Sequence, residues 1–209
     1  AKASIEYAER LANAVNARCL VLEYRLAPEH PFPASLEDTV FALRALDRTY
    51  GSTNLFLSGE SAGVSLAIAA TTQLIESGDD VPARIYALSP FVDCTLSSRS
   101  IEQRDGEDPI VERDTLAYMV SNYFQDNNPK DPLVSPIYGD LTGLPPILIQ
   151  AGKKEVLVDE ALRLARRAKA CNVDTTLELF DERLHIFSMF PYLPNAKEAL
   201  KSIERFSSA

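Results

Sequence analysis

Gly59-Glu60-Ser61-Ala62-Gly63 sets a serine between two glycines, where an apolar run ends and a run of helix formers begins. This is the G-x-S-x-G spacing of a nucleophile elbow, in which a strand turns sharply into a helix and presents the hydroxyl. In so tight a turn, a side chain at either glycine is expected to collide with the neighbouring strand or helix. The helix N-terminus beyond the serine offers backbone N–H groups and a positive dipole end to a developing oxyanion. The N–H of Ala62 is therefore a candidate oxyanion donor. The competing role for Ser61 is a helix N-cap.

A serine hydroxyl is a weak nucleophile at neutral pH and needs a base within hydrogen-bond reach. The chain has two histidines. His30 lies in "APEHPFPA" and reads as a turn or surface residue. His185 lies in "DERLHIFSMF", in a loop before the last helix, and is the candidate base. A carboxylate must then orient the imidazole and stabilise its charged form. "QAGKKEVLVDEA" offers Glu155, Asp159 and Glu160; Glu155 comes first after a strand, within the loop, and is the expected acid. Serine, acid, histidine is the chain order of the α/β-hydrolase arrangement.

The elements that must carry these residues follow from the apolar periodicity. Helices are expected in "ASIEYAERLANAVNA", "ASLEDTVFALRALDRTY", "AGVSLAIAATTQLIES", "TLAYMVSNYF", "VDEALRLARRAKAC" and "NAKEALKSIERF". Strands are expected in "CLVLEYRL" (buried), "NLFLSG", "ARIYALSPF", "PPILIQAG" and "DTTLELF". Strands alternating with helices define an α/β fold with a mostly parallel sheet flanked by helices. Ligand chemistry in such sheets gathers at the carboxyl ends of the strands, where Ser61 falls. The stretch 95–144, rich in Ser, Asp, Asn and Pro, is expected as a rim or cap excursion, and residues 1–209 as one domain.

Composition narrows the partners. A formal net charge of −9 argues against nucleic acid and anionic membrane surfaces, which reward Lys and Arg; a neutral or apolar small molecule fits better. Cys19, Cys94 and Cys171 are expected as reduced thiols without metal-ligand spacing. No apolar run approaches the roughly 20 residues of a membrane span, and no basic-then-apolar leader opens the sequence, so a cytoplasmic setting is expected. Arg25, Glu29 and Asp38 are expected to form a structural ion pair. The segment "SIEQRDGEDPIVERD" reads as a solvated loop and helix start, and Phe187 and Met189 as packing residues. Phe91, Tyr118, Tyr123 and Phe124 are candidates for either core or an acyl pocket.

Four blocks, "EYRLAPEHPFPASLEDT", "GESAG", "GLPPILIQAGKKEVLVDEA" and "LHIFSMF", resemble the hormone-sensitive-lipase-like family of α/β-hydrolases, mostly microbial carboxylesterases. The resemblance implies a carboxylic ester hydrolase acting on short-chain acyl esters through an acyl-serine intermediate. Ser61 would be the nucleophile, His185 the base and Glu155 the acid where most relatives carry aspartate. Glu60 stands where the family usually has Asp, and Ile186 replaces its small residue after the histidine. No metal or cofactor is implied; the implied partner is a small-molecule ester, with a homodimer left open. The family's His-Gly-Gly-Gly oxyanion segment is absent from the sequence. The chain is thus expected to lack the first strands and to be weakened as a catalyst. The alternatives are an impaired, ligand-binding relative and a serine peptidase of the same core fold.

Overall fold

A computed structural model describes residues Lys2–Ser208. The elements are α1 (Lys2–Ala14), α2 (Ala34–Tyr50), β1 (Phe56–Glu60), α3 (Ala62–Ser77), β2 (Arg84–Leu88), α4 (Arg99–Gln103), α5 (Arg113–Phe124), β3 (Ile147–Gly152), α6 (Val158–Ala170), β4 (Thr175–Phe180) and α7 (Pro194–Ser208). The four strands form one sheet in the order β1-β2-β3-β4. Every pairing is parallel, with Gly59 opposite Ala87, Leu88 opposite Gln150 and Gly152 opposite Phe180. All four carboxyl ends therefore lie along one edge.

Side chains alternate across a strand, and both faces of the inner strands are covered. Ile85, Ala87, Ile147, Ile149 and Ala151 pack on one face with Val64 and Ile68 of α3 and Leu164, Ala165 and Ala168 of α6. Tyr86, Leu88 and Leu148 face the other way, against Tyr7 and Leu11 of α1 and Ile203 of α7. Burial on both faces explains why β2 and β3 read as nearly continuous apolar runs. α2 lies outside α3, with Leu36, Val40 and Leu43 packed on Leu66, Ala70 and Leu74. Glycine in the left-handed conformation closes α3: Gly78 has φ 72° and donates to the carbonyls of Ile75 and Leu74.

One expected element does not form. Residues 19–26 join no strand, and Leu20, Val21 and Leu26 are 60%, 53% and 62% exposed. A largely apolar sequence becomes a strand only where a neighbour accepts its hydrogen bonds, and β1, at the sheet edge, pairs only with β2. Arg25 pins the segment instead: its backbone N–H and guanidinium both donate to Asp38, and the guanidinium also reaches Glu37 and the carbonyl of Ala34. The ion pair is structural, as expected, with Glu37 rather than Glu29 as the second carboxylate.

The excursion between β2 and β3 carries α4 and α5 and shares an apolar core with the loop that follows β3. Phe91, Cys94, Ile101, Val111, Leu116, Val120, Val156 and Leu157 pack together, with Tyr123 and Phe124 against them. Phe91 is thus core, whereas Tyr118 is 68% exposed. No helix among the described residues is long and apolar enough to cross a membrane.

The altered placement of residues 19–26 changes which thiol is reachable: Cys19 is exposed, Cys94 buried and Cys171 intermediate. Iodoacetamide on the folded protein, followed by peptide mapping, should label Cys19 first and leave Cys94 unmodified. Protection of Cys19 to the same degree as Cys94 would restore the buried strand.

Candidate active site

Ser61 stands between β1 and α3 with φ 53° and ψ −121°, a region that non-glycine residues rarely enter. It occupies the N-cap position but makes no side-chain capping bond, and its backbone is far from the extended conformation of an ordinary cap. The conformation is held from β2: the Ser61 N–H donates to the Leu88 carbonyl at 3.0 Å, and the Ser61 carbonyl accepts from Phe91 at 3.1 Å and Val64 at 3.0 Å. The next residue, Ala62, opens α3 and is exposed. Its N–H belongs to the helix's first turn, whose donors lack intrahelical partners.

The two glycines of the elbow are not equivalent. A Cβ on Gly59 would lie 2.4 Å from the Gly63 carbonyl oxygen and 2.7 Å from the Val64 nitrogen, both rigid backbone. A Cβ on Gly63 would meet nothing within 4 Å. The expected collision at both positions is therefore corrected to one, because it is the carbonyl of Gly63, not its Cα, that faces Gly59.

Glu155 follows β3 and is fully buried. Its Oε2 accepts from the Ser89 hydroxyl at 2.9 Å and from the Gly152 N–H at 3.2 Å, while Oε1 has no partner. Gly152 is itself required for a second contact, since a Cβ there would lie 2.6 Å from the Glu182 carbonyl oxygen. Burial pushes the Glu155 carboxyl up to about 8, with the nearby Asp108 adding to the rise against the two hydrogen bonds. The rival carboxylates are committed elsewhere. Asp159 accepts from the Ser100 N–H, and Glu160 accepts from the Val92 N–H and the Ser98 hydroxyl.

His185 lies after β4, 2% exposed, and neither ring nitrogen has a hydrogen-bond partner. Burial lowers its pKa to about 4. Its loop is fastened at three points. The His185 N–H donates to Asp108 at 2.9 Å and the Ile186 N–H to the Ser89 hydroxyl at 3.1 Å. Arg10 of α1 donates to the carbonyls of Ser188 and Met189. Phe187, 1% exposed, anchors the turn as expected. His30 is exposed.

The structure thus brings Glu155 and the His185 loop onto a shared hydroxyl, that of Ser89. No hydrogen bond joins the side chains of Ser61, His185 and Glu155. Two contributors escaped the sequence reading. Ser89 shows only as a serine before Pro90 at a strand end. Asp108 sits in the segment expected to be solvated, yet is 2% exposed; its flanking Gly106 and Pro109 signalled a turn, not a buried one. Two surface depressions, beside Lys201 and Glu204 of α7 and beside Phe41 and Arg44 of α2, include none of these residues.

Fold and elbow together define a class, and comparison with known proteins agrees. The alpha/beta hydrolase fold family matches residues 2–189, and the chain belongs to it. It falls in the hormone-sensitive-lipase-like branch: it is 42% identical to a solved esterase of the bacterial hormone-sensitive lipase family, with a TM-score of 0.91 over 95% of this chain and 67% of that one. A hormone-sensitive lipase from a metagenome library gives 39% and 0.93, over 97% of this chain and 70% of that one. Among curated proteins it is 37% identical to an acetyl-hydrolase of Streptomyces hygroscopicus, covering 91% of this chain and 64% of that protein. An esterase of Acinetobacter venetianus is 32% identical, over 95% of this chain and 67% of that protein. The chain thus spans about two thirds of the length of these relatives.

Two outcomes follow from this geometry. Gly59→Ala should cost at least the roughly 1–3 kcal/mol typical of overpacking, whereas Gly63→Ala, on the first turn of a helix, should stay within about 0.5 kcal/mol of the parent or gain; urea denaturation of both variants reads the contrast. The second concerns pH. Glu155 keeps its proton when folded up to about 8 but releases it near 4.5 when unfolded, so its contribution to stability is lost as pH rises through that window. His185 has the opposite slope: stability is lost as pH falls from 6.5 towards 4. Urea midpoints at pH 5 and 8 should show Glu155→Gln gaining on the parent as pH rises; a constant difference would contradict a buried neutral carboxyl.

Proposed function

We propose that this chain is a serine carboxylesterase that hydrolyses short-chain acyl esters through an acyl-serine intermediate. The observation that carries the reading is the backbone of Ser61, a non-glycine residue held at positive φ between a strand and a helix, with its hydroxyl left free of the capping role. The named esterase activity of its relatives supports the same reaction class.

In this reading the Ser61 hydroxyl attacks the ester carbonyl carbon, and His185 takes the hydroxyl proton as the C–O bond forms. The tetrahedral oxyanion is met by the N–H of Ala62. His185 then passes the proton to the leaving alcohol as the ester C–O bond breaks, leaving acyl-Ser61. Water repeats the sequence with His185 as base, releasing the carboxylic acid and restoring the serine. Glu155 orients the imidazole through its free Oε1. The ring must be neutral to accept a proton, and burial keeps it so at pH 7. Removing one oxyanion donor costs about 10²–10³ in kcat in a serine protease. A single-turnover measurement with p-nitrophenyl butyrate reads the acylation of Ser61 directly.

A fluorophosphonate should label the folded protein on Ser61, and Ser61→Ala should abolish the labelling; a surviving label would move the nucleophile. Glu155→Gln should slow labelling by several orders of magnitude, the scale for losing the orienting acid of a serine-protease triad being about 10⁴. Asp159→Asn, whose carboxylate is spent on α4, should do far less. The reverse order would transfer the acid role to Asp159.

A further inference from the structure

Ser89 is one residue past the end of β2, 1% exposed, and held at φ 45°. Positive φ is uncommon for serine, and the backbone is locked there by its N–H donating to the Gln150 carbonyl at 2.7 Å. That conformation aims the hydroxyl between two elements from distant parts of the chain. It donates to Glu155 Oε2 at 2.9 Å and accepts from the Ile186 N–H at 3.1 Å. A hydroxyl has one proton to give, and here it goes to the carboxyl. With the Gly152 N–H also on Oε2, one oxygen of Glu155 is doubly engaged and the other, Oε1, is left without a partner, as are both nitrogens of His185.

We infer that Ser89 is a positioning residue for the Glu155–His185 pair: its hydroxyl fixes the rotation of the carboxyl so that Oε1 alone is available to the imidazole, and it ties the backbone beside His185 to the same point. The inference rests on the reading of Glu155 and His185 as acid and base. The alternative, that Ser89 only closes a turn, does not explain why its hydroxyl joins these two elements and makes no bond to its own strand. The other ionisable groups at this junction are Asp108, which accepts from the His185 N–H, and Glu155 itself. Neither residue is itself altered when Ser89 is changed, so the variant removes a hydroxyl and no ionisable group.

The test uses Ser89→Gly, which removes the hydroxyl and tolerates positive φ, with Ser89→Ala as a second variant. Because the chain has two histidines, NMR of the imidazole protons resolves His185 once His30→Ala has identified the other. In the parent protein His185 should titrate well below the ordinary value of about 6.5. In Ser89→Gly the loop loses its tether and the midpoint should rise towards that value. Fluorophosphonate labelling of Ser61 should slow by about tenfold, the scale of one hydrogen bond, with the loss in the maximal rate and not in the concentration of probe needed. Added to Glu155→Gln, Ser89→Gly should cause no further slowing, because the two act as one unit.

An unchanged His185 titration in both Ser89 variants overturns the inference, and so does an additive effect in the double variant. If the titration moves while Ser61 of the parent protein takes no label, the tether stands and the proposed reaction falls.

Discussion

The turn from Leu88 to Phe91 at the carboxyl end of β2 is the constraint on which the site depends. Its carbonyl at Leu88 and its N–H at Phe91 grip Ser61 from both sides, and its Ser89 hydroxyl reaches Glu155 and Ile186. Ser65 of α3 donates to the Phe91 carbonyl, so the helix that follows the elbow is fastened to the same four residues. Three segments, at Ser61, Glu155 and Ile186, from distant parts of the chain thus converge on one short turn. A parallel sheet makes this geometry available, because every strand delivers its loop to the same edge.

Six of the seven helices among the described residues, all but the short α4, and four of the five expected strands were legible because their signals are local. α2 and α3 start and stop where the apolar period does, bounded by Pro33, Gly51 and Gly78. The misread strand at 19–26 shows the limit of that method. Its residues have strand character, but a strand is a relation between two backbones, and the sequence of one gives no account of the other. Ser61, Glu155 and His185 were singled out as candidates by motif, chain order and resemblance. Ser89 and Asp108 were not, since their importance arises from contacts 66 and 77 residues away along the chain, and neither residue type nor local spacing marks such a contact.

Asp108 also changes the meaning of the excursion. Its segment is acidic and turn-rich, which reads as solvated surface, yet one carboxylate oxygen serves the Ile110 N–H and the other the His185 N–H. The excursion is therefore coupled to the His185 loop through a buried bond. Strain in α4 or in the 104–112 turn would reach His185 through that bond, without passing through the sheet.

The two groups of buried carboxylates in this fold differ in how they are compensated. At Asp93, burial raises the pKa but is outweighed by Ser97, Thr95 and Arg163, and the carboxyl ends below its ordinary value. Arg163 lies 2.7 Å from Asp93 and 3.5 Å from Glu160, so that network carries its own cation. Beside that cation burial still raises Glu160 to about 7, and it raises Glu155, which has none, to about 8. Of the six buried side-chain polar atoms left without a partner among the described residues, three are Glu155 Oε1, His185 Nδ1 and His185 Nε2. An unsatisfied buried polar atom costs about 1–3 kcal/mol, and evenly spread defects would suggest loose packing. Half of them instead gather on two residues, Glu155 tied by Ser89 and His185 tied through its backbone by Asp108, and unpartnered buried groups clustered in this way are the pattern associated with functional sites.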